Sequence, residues 1–89
     1  MNQNIQKGAV RRLKIIEGQI RGVQKMIENG EYCIDVLHQS SAAKQAISGV
    51  EDLILEHHLK THVIEQMKSG KEEKSIKEIL EIYKLSKKK

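Results

Sequence analysis

No proline interrupts the stretch from Tyr32 to Met67, and Val36, Ala43, Val50, His57 and Ile64 follow one another seven apart, with Ile47 and Ile54 beside them. Such spacing predicts one long amphipathic helix. Its 36 residues correspond to roughly 54 Å at 1.5 Å per residue. A chain of 89 residues has too little mass to cover an element of that length, and its own core is marginal. The length therefore predicts association with a second copy.

Two shorter helices flank it. The first is expected from about Ile5 to Glu28, where Leu13, Ile16, Ile20, Val23 and Ile27 form an apolar stripe at three- and four-residue spacing. Asn29-Gly30 is its stop signal. Ser69-Gly70 ends the long helix, and Ser69-Gly70-Lys71-Glu72 reads as a capping box for a third helix. That helix is expected to present Ile76, Ile79, Leu80 and Tyr83 on one side before a tail of Lys87, Lys88 and Lys89. The expectation is an all-α, three-helix chain forming a single domain over residues 1–89. Charged residues make up 31%, and their helical patterning separates the chain from disordered sequences of similar polarity.

Cys33, His58 and His62 share one side of the long helix. At 100° per residue, the 25 and 29 steps from the cysteine to the histidines return to within about 20° of its azimuth. Along the axis, however, thiol and imidazoles are separated by roughly 37–44 Å. An antiparallel second copy, related by a twofold near Ala46 and Ile47, sets residue 33 opposite residue 60 of its mate, midway between the histidines. Small residues (Ser40, Ser41, Ala42, Ala43, Ala46, Ser48 and Gly49) surround that point and allow close backbone approach. One thiolate and two imidazoles suit Cu(I), Zn(II) or Co(II). The bland alternative is a pair of solvated histidines and a cysteine used as filler. His57 falls among the seam positions and reads as a packed residue; His38 has no evident partner and reads as exposed.

The first helix carries Lys7, Arg11, Lys14, Arg21 and Lys25 within about 80° of arc, roughly opposite its apolar stripe. Gly18 interrupts this strip and leaves room for close approach, while Arg12 lies on the flank near Gln19. With a net charge of +4, the strip suits phosphate neutralisation; the alternative is a solvated face. No helix-turn-helix or zinc-finger pattern is present. A catalytic role is not expected, since nothing supplies an oxyanion loop or a substrate pocket around a Cys–His pair. A single cysteine and the lack of a signal or membrane-spanning pattern point to a reduced, cytosolic protein without a membrane partner.

The run from Arg11 to Gly22 (RRLKIIEGQIRG), then Tyr32-Cys33-Ile34-Asp35-Val36-Leu37, then His58 and His62 at their four-residue spacing together resemble the copper-sensing operon repressor family, and the likeness covers nearly the whole chain. The resemblance implies antiparallel dimers pairing into a tetramer. It implies an apo form that binds operator DNA and is released by metal, derepressing efflux genes. It also implies Cys33 from one protomer with His58 and His62 from its partner as metal ligands. Tyr32 and Glu78 match positions that surround such a site with hydrogen bonds. Arg12, with Arg11, Lys14, Arg21, Lys25 and Gln19, matches the DNA-facing part of the first helix. Copper sensors of the family usually carry Cys-His-Cys, whereas position 62 here is histidine. Nickel and cobalt sensors add an N-terminal histidine, and none precedes His38. The formaldehyde-sensing branch uses an N-terminal proline, and the persulfide-sensing branch a second cysteine where His58 stands. The implied effector is Cu(I), with Ni(II), Co(II) or Zn(II), or another thiol-reactive ligand, as alternatives. A DNA-independent helical interaction module is the reading from a different class.

Overall fold

The computed structural model describes residues 1–87, and all regular structure among them is helical. Helix α1 spans Gln3–Glu28 and α2 spans Cys33–His58; a π-helical turn, Leu59–Val63, leads into α3, Ile64–Lys68, and α4 spans Glu72–Lys87. The backbone stays helical at His58, Val63 and Ile64. Residues 33–68 therefore make the long central helix, and the described residues form three helices. The widened turn within it was not legible in the seven-residue pattern. There the Thr61 hydroxyl donates to the His57 carbonyl at 2.7 Å, a side chain-to-backbone bond that competes with the helical ladder.

Two compact units divide the chain, Met1–Leu55 and Glu56–Lys89. In the first, Asn2 caps α1 by accepting from the Ile5 amide at 2.9 Å. At the other end, Gly30 adopts φ +65°. Its amide donates to the Ile27 carbonyl and that of Glu31 to Met26, both at 3.0 Å, so the reversal is a Schellman motif. The core of this unit is Ala9 and Ile16 from α1 with Val50 from α2, and Ala46 and Leu53 pack against it. Val23 is half-buried in line with residues 9 and 16, as Val36 is with the buried Ala43 and Val50. Buried and half-buried positions thus recur seven residues apart on both helices. The expected α1 stripe splits: Ile16 is buried in the core and Val23 half-buried, whereas Leu13, Ile20 and Ile27 remain exposed, Ile27 by 63%. Ala9, not part of the expected stripe, takes the inner place.

In the second unit, Val63 is the buried apolar residue and Ser75 is fully buried. The expected capping box is not formed. Helix α4 begins at Glu72, the Ser75 amide donates to the Lys71 carbonyl, and the Ser69 hydroxyl donates backward to the carbonyls of Glu65 and Gln66. Gly70, at φ +79°, closes a second Schellman motif through Lys71 to Gln66 at 2.7 Å and Gly70 to Met67 at 3.3 Å. A hydroxyl committed to the outgoing helix is not free to accept an amide of the incoming one. Ile76, Ile79, Leu80 and Tyr83 are all exposed; among the described side chains of α4 the buried position is the polar Ser75. Lys88 and Lys89 of the basic tail lie outside the described residues.

Candidate metal and nucleic-acid sites

Tyr32 and Cys33 sit where α2 starts. The Tyr32 carbonyl accepts from the Val36 amide at 3.2 Å, which makes Tyr32 the cap and Cys33 the first helical residue. Both side chains are exposed, and the cysteine is a free thiol.

His58 and His62 belong to the other unit, one on each side of the first π-helical peptide. Their rings stack with centroids 5.2 Å apart and planes inclined by 27°. His57 meets His62 edge-on at 6.2 Å and is half-buried. On the far side of His58, Nε2 lies 3.1 Å from Oε2 of Glu78, with each side chain about one-third exposed. An ionised carboxylate only accepts, so Nε2 donates, and in the neutral ring Nδ1 keeps its lone pair. A histidine that ligates through one nitrogen ordinarily donates its other N–H to a carboxylate or carbonyl. This donor set fits a soft or borderline metal: two adjacent imidazoles, one already oriented by a carboxylate, and an unoxidised thiol elsewhere in the chain. Among the described residues of one chain, no three His, Cys, Asp or Glu side chains come together closely enough to hold an ion. His58, His62 and Glu78 are brought together; Cys33 and Tyr32 lie in the other unit.

One turn away, Lys60 contacts Glu56 at 2.8 Å on the open surface. Their hydrogen bond, reinforced by the charge interaction, raises the lysine pKa and lowers that of the glutamate. Exposed pairs of this kind contribute little to stability.

The α1 cations Lys7, Arg11, Arg12, Lys14, Arg21 and Lys25 are all exposed, as is Gln19. Lys7, Arg11 and Lys14 join Gln6 and Val10 around a shallow depression on the helix. Arg21 stands 3.9 Å from Glu17 with both ends two-thirds exposed, which leaves the guanidinium available. A side chain at Gly18 would meet only the Arg21 guanidinium, at 3.8 Å. Sequence reasoning missed the Gln66–Ser75 hydrogen bond, at 2.6 Å. The available signal was Gln66 continuing the four-residue series of His58 and His62.

An all-helical chain with a paired-imidazole site and a cationic first helix defines a class of regulators, and a family comparison agrees. The metal-sensitive transcriptional repressor family model matches residues 5–85, and the chain belongs to that family. It is 47% identical over 73 residues, covering 82% of this chain and 72% of the relative, to the copper-sensing transcriptional repressor CsoR of Bacillus subtilis. It is 43% identical over 60 residues to the copper-sensing repressor RicR of Mycobacterium tuberculosis, covering 67% of this chain and 62% of the relative. The crystal structure of the copper-sensing repressor CsoR with Cu(I) from Geobacillus thermodenitrificans superposes with a TM-score of 0.92 at 39% identity, covering 99% of this chain and 92% of that one. No helix among the described residues is long and apolar enough to cross a membrane.

Proposed function

We propose that this chain is a Cu(I)-responsive repressor whose metal-free form binds operator double-stranded DNA through α1 and whose metal-bound form releases it. The observation that carries the metal reading is the His58–Glu78 contact, which occupies Nε2 and so keeps the Nδ1 lone pair of His58 for a metal, with the His62 ring stacked alongside. The donor chemistry, together with the copper-sensing relatives, supports Cu(I) over Ni(II), Co(II) or Zn(II). When bound, Cu(I) would supply a soft Lewis acid suited to one thiolate and two imidazoles. Cys33 of one protomer would complete the pair His58 and His62 of an antiparallel partner, with Tyr32 and Glu78 around them. The exposed Leu13, Ile20 and Ile27 seam on α1 and the exposed apolar side of α4 support association of dimers into a tetramer, in the cytoplasm.

Arg11, Lys14, Arg21 and Lys25 on one face of α1, with Arg12 and Gln19 on its flank, would contact the sugar–phosphate backbone, for which exposed cations and polar side chains suffice. The switch is linkage. Residues that hold metal more tightly in the arrangement that disfavours DNA make each ligand weaken the other, typically by roughly 1–3 kcal/mol. Cys33→Ala is expected to lose tight Cu(I) binding in a competition titration while retaining affinity for DNA from its own upstream region. Release of DNA from Cys33→Ala on Cu(I) addition would refute the assignment. Parallel titrations with Ni(II), Co(II) and Zn(II), with DNA affinity read out for each, test the choice of metal.

A further inference from the structure

Ser75 is the most deeply buried side chain among the described residues, with no exposed surface. Serines in helices usually donate to a carbonyl three or four residues back, as Ser40, Ser69 and Ser86 do here. Ser75 instead crosses to a different helix, donating to Oε1 of Gln66 at 2.6 Å. Alanine would fill the same space without a polar group to satisfy, so packing alone does not account for a serine.

The register of α4 against the central helix needs some such device. Ile76, Ile79, Leu80 and Ile82 are 38–54% exposed, and hydrophobic contact is non-directional. A single buried polar contact can specify register where apolar packing does not. His58, His62 and Gln66 succeed one another at four-residue spacing along one face. Ser75 and Glu78 lie three apart on α4. Two rungs therefore tie the same elements together, Gln66 to Ser75 and His58 to Glu78, with His62 between them in sequence. A one-residue slip of α4 would turn Glu78 by about 100° away from the imidazole.

We propose that the Gln66–Ser75 hydrogen bond is a positioning pin: it fixes the register of α4 so that Glu78 reaches His58 and holds the ring as its Nε2–H tautomer. The effect on the ring is a property of the metal-free chain. Only its consequence for affinity rests on the metal-sensing reading above.

The test uses the full-length apo protein at alkaline pH and long-range proton–nitrogen correlation spectra, which tell the two ring nitrogens of each histidine apart. The wild type is expected to show His58 predominantly as the Nε2–H tautomer, and Glu78→Ala a mixture. Gln66→Met keeps length but removes the acceptor, and is expected to give the same mixture as Glu78→Ala. Gln66→Glu keeps an acceptor oxygen and is expected to retain the wild-type pattern. Ser75→Ala removes the donor and should follow Gln66→Met; if it fails to fold, the two Gln66 variants decide. Loss of the pin is also expected to weaken Cu(I) binding roughly 10- to 100-fold, the usual cost of removing a partner that orients a ligand. A wild-type tautomer pattern in Gln66→Met, or a mixture in Gln66→Glu, would overturn the proposal. Wild-type protein that fails to bind Cu(I) while these tautomer shifts occur would sink the metal reading and leave the pin standing.

Discussion

Gly18→Ala separates what α1 does for stability from what it does for DNA. Gly18 lies inside a regular helix and does not have a positive φ, unlike Gly30 and Gly70. An added Cβ would meet only the far end of the exposed Arg21 side chain, at 3.8 Å, an ordinary contact. The helix-propensity gain should therefore appear undiminished, at about 0.8–1.0 kcal/mol per chain. For a domain of this size, 1 kcal/mol moves the melting midpoint by about 4–8 °C. Yet at 100° per residue Gly18 falls within the arc of Lys7, Arg11, Lys14, Arg21 and Lys25, where DNA would approach the helix backbone. A methyl group there holds the phosphates off; losing one charge-assisted hydrogen bond, worth about 1.5–3 kcal/mol, weakens operator binding by about tenfold or more. The assay pairs thermal melts at fixed chain concentration with fluorescence anisotropy on labelled upstream DNA. Gly8→Ala serves as the control, since a Cβ at Gly8 would meet nothing within 4 Å and Gly8 lies about 60° outside the arc; it should gain stability without losing affinity. A Gly18→Ala protein that melts higher and binds DNA unchanged would refute the close-approach argument. One that melts lower would refute the reading of Gly18 as open space.

Two further outcomes are expected. Arg12→Ala and Arg21→Ala should each weaken operator binding and reduce its salt slope by about 1, with little change in melting, because Arg12 is exposed and the Arg21–Glu17 pair is long and exposed, a kind that contributes little; unchanged isotherms in both would move the DNA surface elsewhere. Gly30→Ala should destabilise the chain by about 1–2 kcal/mol, because φ +65° is the left-handed conformation that a Cβ disfavours; urea melts matching the wild type would show that the turn rearranges freely.

The helices, their glycine stops and the exposed cations of α1 were legible because they depend on local periodicity and turn chemistry, which neighbouring residues alone decide. His58 and His62 were legible as a pair for the same reason, four residues apart on one helix. What needed the tertiary structure were choices among equivalent local options. Within the α1 stripe, Ile16 is buried and Val23 half-buried while Leu13, Ile20 and Ile27 stay exposed, a choice set by how α1 packs on α2. Ser69 could have capped α4 but serves the preceding turn, and the Thr61 hydroxyl spends itself inside the widened turn between the histidines. Glu78 meeting Nε2 of His58 and Gln66 meeting Ser75 pair residues 20 and 9 apart. Such contacts are set by how helices pack, a long-range property that no window of sequence contains.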